Sequence, residues 1–237
     1  MEETAMATRP STGHQVDPHG LRAGEAGRLL AGAGWRRFVV LGDGGATVAR
    51  RGVRGGALTS WTERVAGTLR AVRPDLAHLN LAKRGVVVAQ VRSQQLAAAL
   101  DFTCDLAAVF CGTDDVRRRS FDADAFEMEL SRIVAPLRDV GCEVLTVSPF
   151  DVTRTDVVPV EERNRLRDRL RLLVERTAVV SLRHGALHVD LAGHPAGAEA
   201  DVYDGDGRQW SGRGHAVAAA EVVRRLGAHV TLGRRSH

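Results

Sequence analysis

The residues able to do chemistry gather where apolar runs stop. Phe38-Val39-Val40-Leu41 runs into Gly42-Asp43-Gly44-Gly45, and the run 106–110 ends at Cys111-Gly112-Thr113-Asp114-Asp115. Glycine tolerates positive φ and lets a backbone approach a ligand closely, so the first cluster reads as a sharp turn beside a binding site. Cys111 is a nucleophile in principle. No histidine is placed to activate it, and a buried structural thiol is the competing reading. His184, His188 and His194 flank a later apolar run and read as surface or packing residues. Arg117-Arg118-Arg119 follows the second cluster; it could screen an anionic ligand or form an exposed loop.

The elements that must position these residues follow from hydrophobic periodicity. Short buried strands are read over 38–41, 76–81, 106–110, 144–148 and 187–191. Helices fall between them. The stretch 57–72 carries Trp61, Val65 and Leu69 at four-residue spacing and is closed by Pro74. Further helices are read over 91–100, from Asp124 to about residue 140, from Val160 to about residue 181, and over 214–226. Asp124 with Glu127 makes a capping-box-like start, Gly141 a stop, and Ser211 an N-cap. An earlier helix is read over 23–33, and a loop rich in Gly and Arg over 50–56. Strands alternating with helices specify a parallel sheet covered on both faces. The expected fold is therefore α/β, a flavodoxin-like three-layer α/β/α sandwich with a five-stranded parallel sheet. In such a sheet, ligands bind at the carboxyl ends of the central strands.

Bulk properties fit a single domain. The 237 residues are 44% hydrophobic and 26% charged, ordinary for a globular chain. The net charge is +4, yet the arginines alternate with acids between Glu161 and Arg176 as on a solvated helix face, so no nucleic-acid role is expected. Cys104, Cys111 and Cys142 are odd in number and lack a CxxC spacing, which reads as reduced, mostly buried thiols. Residues 1–22 are expected to be a disordered arm, 23–228 the domain and 229–237 a tail. With no apolar leader or membrane span, a cytoplasmic location is expected. No cofactor is expected; oligomeric state is not legible.

Four segments together carry a family resemblance. Gly42-Asp43-Gly44 resembles the Gly-Asp-Ser block of the SGNH (GDSL) hydrolases. Asn80-Leu81-Ala82 through Gly85 resembles their second block, Gly112-Thr113-Asp114-Asp115 the third (Gly-x-Asn-Asp), and Asp206-Gly207-Arg208-Gln209 the last (Asp-x-x-His). The resemblance implies the SGNH type of the fold above. It also places Gly44 at the nucleophilic serine position, Asp114 at the oxyanion-hole asparagine and Gln209 at the general base, with Gly85 alone keeping the family's residue. Glycine cannot attack a carbonyl, glutamine is not basic, and an ionised Asp114 only accepts hydrogen bonds. Losing one oxyanion donor alone costs about 3 kcal/mol in other hydrolases. His215, in the last helix, is implied to face away from the nucleophile.

The resemblance thus implies a repurposed pocket. Asp43 and Asp115 brace loops, and Gly45 and Thr113 line the ligand space. Asp114 and Asp206, if brought close, would form an acid–base pair or take a hard cation such as Mg²⁺; hydrated charges in a drifted pocket are the bland alternative. Three functions remain open. The first is a pseudo-hydrolase binding a small acyl or carbonyl ligand, or a protein partner. The second is a non-hydrolytic enzyme, in specialised metabolism for instance, using Asp114 and Asp206 while the Gly44, Gly45 and Gly85 N–H groups hold an oxyanion or phosphate. The third is an esterase with a displaced nucleophile.

Overall fold

The computed structural model describes residues 17–47 and 58–235, so the 50–56 loop and residues 1–16 of the expected arm lie outside it. Five strands, β1 (Arg37–Gly42), β2 (Ala77–Asn80), β3 (Leu106–Phe110), β4 (Glu143–Ser148) and β5 (Leu187–Asp190), form one parallel sheet in the order β2-β1-β3-β4-β5. All five expected strands are present, with every end within one residue of its expected place. The central strand β3 is buried on both faces, which is why its sequence, Leu-Ala-Ala-Val-Phe, is apolar throughout rather than alternating.

Among the described residues, six α-helices cover the sheet: α1 (Glu25–Leu30), α2 (Trp61–Val72), α3 (Val88–Asp101), α4 (Ala123–Asp139), α5 (Val160–Arg183) and α6 (Gly212–Arg235). The first, second and sixth pack together on one face, the other three on the opposite face. Ser60 caps α2 by accepting from the Glu63 N–H at 3.1 Å, and Trp61, Val65 and Leu69 turn the expected apolar stripe into the core.

Several helix boundaries differ from the sequence reading, α1, α2 and α3 among them, and three differences have identifiable reasons. The cap of α4 is Asp122, not Asp124. Its carboxylate accepts from the Asp124 and Ala125 N–H groups while its own backbone stays extended. Second, α6 starts at Gly212 and continues to Arg235, through the stretch expected as a tail. Val230 packs on the core, Thr231 bonds back to the Gly227 carbonyl, and His229 stacks on Trp35 with ring centres 6.3 Å apart. Third, residues 17–22 are tied down: Arg213 pairs with Asp17 at 2.8 Å, and Arg224 donates to the His19 and Gly20 carbonyls. A small hairpin of β6 (Tyr203–Asp204) and β7 (Gln209–Trp210) before α6 was not anticipated.

Candidate active site

At the carboxyl end of β1 the chain makes a 3-10 turn over Gly44–Ala46. Its carbonyls are held by the start of α2: Trp61 Nε1 donates to Gly45 O at 3.0 Å and Thr62 Oγ1 to Ala46 O at 3.2 Å. The two adjacent glycines differ. A Cβ on Gly45 would lie 2.2 Å from the Phe110 ring, so that position admits nothing larger. At Gly44, φ is outside the left-handed region and a Cβ would meet only the Arg84 stem, at 3.6 Å. A Cβ fits there.

Asp43 is fully buried and ties this turn to the loop after β3. One carboxylate oxygen accepts from Gly45 N–H at 3.0 Å and the other from Thr113 N–H at 2.8 Å. Burial, helped by the charge of Asp114, pushes its carboxyl up to about 7 despite those two donors. The segment after β2 runs on beside β1, with Lys83 N–H on the Gly42 carbonyl, and so delivers Gly85 to the same place. There the Gly85 N–H donates to Asp114 Oδ2 at 3.0 Å. Asp115 turns the other way and caps α3, accepting from Val88 N–H at 3.0 Å; burial raises its carboxyl to about 6.

The hairpin brings β7 beside the Gly44–Ala46 turn. Gln209 is half-buried, and its amide donates to the Arg208 carbonyl at 2.9 Å. Asp206 is exposed and turned to Arg208, accepting from its backbone N–H at 3.1 Å and pairing with its guanidinium at 2.9 Å. Among the described residues no hydrogen bond joins Asp114 to Asp206. Arg117 stands within electrostatic reach of both and donates to the Gly207 carbonyl at 3.2 Å, bridging the β3 loop to the hairpin. A cavity of about 30 Å³ beside this bridge, bounded by Thr113, Arg117, Phe150, Tyr203, Arg208 and Trp210, holds little more than a water molecule. A larger recess of about 650 Å³ lies away from this loop cluster, between α1, α2 and α6.

Neither candidate substitute is poised for chemistry. Cys111 is buried, and burial drives its thiol well above the ordinary range, away from the reactive thiolate. His215 is buried beneath Trp210, and its Nδ1 accepts from Trp61 N–H at 3.2 Å, so it serves as a cap for α2; burial lowers it to about 4. Among the described residues no cluster of three or more His, Cys, Asp or Glu side chains could hold a metal ion.

Two residues that position the site escaped the sequence reading. Gln95 of α3 is buried and grips both backbone groups of Gly42, accepting from its N–H at 2.8 Å and donating to its C=O at 3.0 Å. A glutamine at four-residue spacing between Val91 and Ala99 was the available signal. The other is Arg117, whose bridging role has no signature in the run of three arginines.

A parallel five-stranded sheet between two helical layers, with the site at the strand ends, is the architecture of an α/β hydrolytic scaffold of the SGNH type. Residues 24–217 match the model of the GDSL-like Lipase/Acylhydrolase family, and the chain belongs to that family. Solved structures agree in fold. A catalytic mutant of the acetylxylan esterase Axe2 from Geobacillus stearothermophilus superposes with a TM-score of 0.66 at 18% identity, covering 81% of this chain and 94% of that one. The lipase/acylhydrolase from Enterococcus faecalis gives 0.64 at 18% identity, covering 82% and 96%. An α/β hydrolase from the metagenome of Lake Arreo, Spain, gives 0.66 at 19% identity, covering 81% and 95%. No curated protein matches the chain.

Proposed function

We propose that this protein is a pseudo-hydrolase, an esterase scaffold that binds a small ligand without cleaving it. In this reading Gly44, Asp114 and Gln209 stand where the family places its nucleophile, oxyanion-hole amide and base. The hydrogen bond from Gly85 N–H to Asp114 Oδ2 carries the reading. An oxyanion hole works by aiming unengaged donors at the developing negative charge. Here the donor is spent on a carboxylate, which adds a negative charge of its own where that charge would form.

The same bond changes the expected ligand. A bare carbonyl oxygen would face an acceptor and lose the competition for Gly85, whereas an amine or hydroxyl would be welcomed by Asp114. A ligand reaching Asp114 would therefore bring a hydrogen-bond donor to that point, in place of the acyl or carbonyl group that family analogy suggests. Acid–base chemistry by Asp114 and Asp206 draws no support, because Asp206 is exposed and engaged by Arg208. Gly45 and Gly85 N–H are likewise already bonded to Asp43 and Asp114, which weakens the oxyanion or phosphate cradle.

A fluorophosphonate probe should leave the protein unlabelled, and p-nitrophenyl acetate should turn over at the rate of buffer. Asp114→Asn alone should change neither result, since it supplies no nucleophile. Stoichiometric probe labelling at any serine would overturn the proposal.

A further inference from the structure

At the end of the sheet away from the site, Cys104 stands two residues before β3 and Cys142 immediately before β4. Their sulfurs are 2.8 Å apart, nearer to a bonded pair than two separate thiols rest comfortably. The strand register alone does not account for the approach. Leu106 lies beside Glu143, so Cys104 and Cys142 are offset by one residue, a spacing that in a regular ladder points side chains to opposite faces. Both lie ahead of the first paired residues, where that alternation no longer binds them. The turn leading into Cys104 is itself unusual. Thr103 has φ +50, the one non-glycine positive φ among the described residues. Cys111, at the far end of β3, lies outside this arrangement.

We propose that Cys104 and Cys142 form an intramolecular disulfide when the protein meets a peroxide, stapling the unit that carries the site loop. The Cys104 thiolate attacks one peroxide oxygen, the O–O bond breaks, and hydroxide leaves, giving a sulfenic acid. The Cys142 sulfur then attacks Cys104 Sγ, the S–O bond breaks, and water leaves with the Cys142 proton. Two thiol sulfurs are oxidised and one peroxide is reduced. Cys104 is the natural first reactant: it is the more accessible, at 6% against 0%. The hydrogen bond from the Cys142 thiol also favours its thiolate. The closed segment, 104–142, contains β3, the Gly112–Asp115 turn and α4, so the bond would tether the stretch holding Asp114.

The test uses the intact protein. After hydrogen peroxide treatment, thiols are alkylated under denaturing conditions and the peptides are mapped by mass spectrometry. The expected result is one Cys104–Cys142 cross-link, loss of two hydrogens, reversal by dithiothreitol and a melting temperature raised by about 5–10 °C. The Cys111→Ser protein should behave identically, and Cys104→Ser should show neither cross-link nor shift. Full alkylation of both thiols after peroxide, a cross-link through Cys111, accumulation of sulfinate at Cys104, or a cross-linked protein with an unraised melting temperature would overturn the proposal.

Discussion

At the residue scale, the pseudo-hydrolase proposal turns on the residues at positions 44, 85, 114 and 209. Gly44 has room for a Cβ, so Gly44→Ser should fold. Alone it should give almost no activity, because a serine without its base recovers little. The triple change Gly44→Ser, Asp114→Asn, Gln209→His should hydrolyse a short-chain p-nitrophenyl ester weakly but measurably. Modest activity is expected because a misplacement of about 1 Å can cost a hundredfold in rate. A folded triple variant with no turnover, whose crystal structure shows residues 44 and 209 out of mutual reach, would refute the site assignment. The letters at 44, 85, 114 and 209 were legible from the sequence. The bond from Gly85 to Asp114 was not, since it joins residues 29 apart whose meeting depends on the sheet. Asp206 shows a local effect instead: Arg208, two residues on, engages its carboxylate.

At the element scale, the site rests on the grip of α3 on β1. Gln95 is the partner of the Gly42 N–H, whereas the Gly42 carbonyl also accepts from Lys83 N–H, so removing Gln95 strands one buried donor at a cost of about 1–3 kcal/mol. Gln95→Leu, similar in size, should therefore destabilise the protein by roughly 1–3 kcal/mol. Urea unfolding would measure this, and a loss under about 0.5 kcal/mol would show that the grip is dispensable. Strands and helices were legible because apolar period and turn residues agree over most of the chain. The end of α6 was not, because Gly227 and Gly233 weaken the local helical signal while its support comes from Val230 and Trp35, contacts that only the folded chain makes. The shift of the α4 cap to Asp122 is a local ambiguity: two aspartates two residues apart compete, and the one with extended backbone wins.

At the scale of the whole molecule, buried Asp43 makes stability depend on pH. Its carboxyl titrates near 7 in the fold and near 3.8 when unfolded. Between those values the native state holds a proton that the unfolded chain has released, so this group's contribution to stability falls as pH rises from about 4 to about 7, then levels off. Denaturant unfolding of the protein and of Asp43→Asn across that window should differ in slope, the wild type losing more stability toward neutral pH. An equal slope, or a wild type that gains relative to the variant, would remove Asp43 as the cause.

The union of α1 with α6 has a consequence for how the protein is made. Leu29 packs against Gly227, and α6 also covers α2 and β5, burying Val217, Val222, Val223 and Leu226. α1 leaves the ribosome well ahead of α6 and must therefore wait for it. At translation rates of about 5–20 residues per second that wait is on the order of ten seconds. Through it, Leu30, Val65 and Leu69 have no cover on the α6 side, and the nascent chain offers chaperones an apolar face that the finished protein never shows.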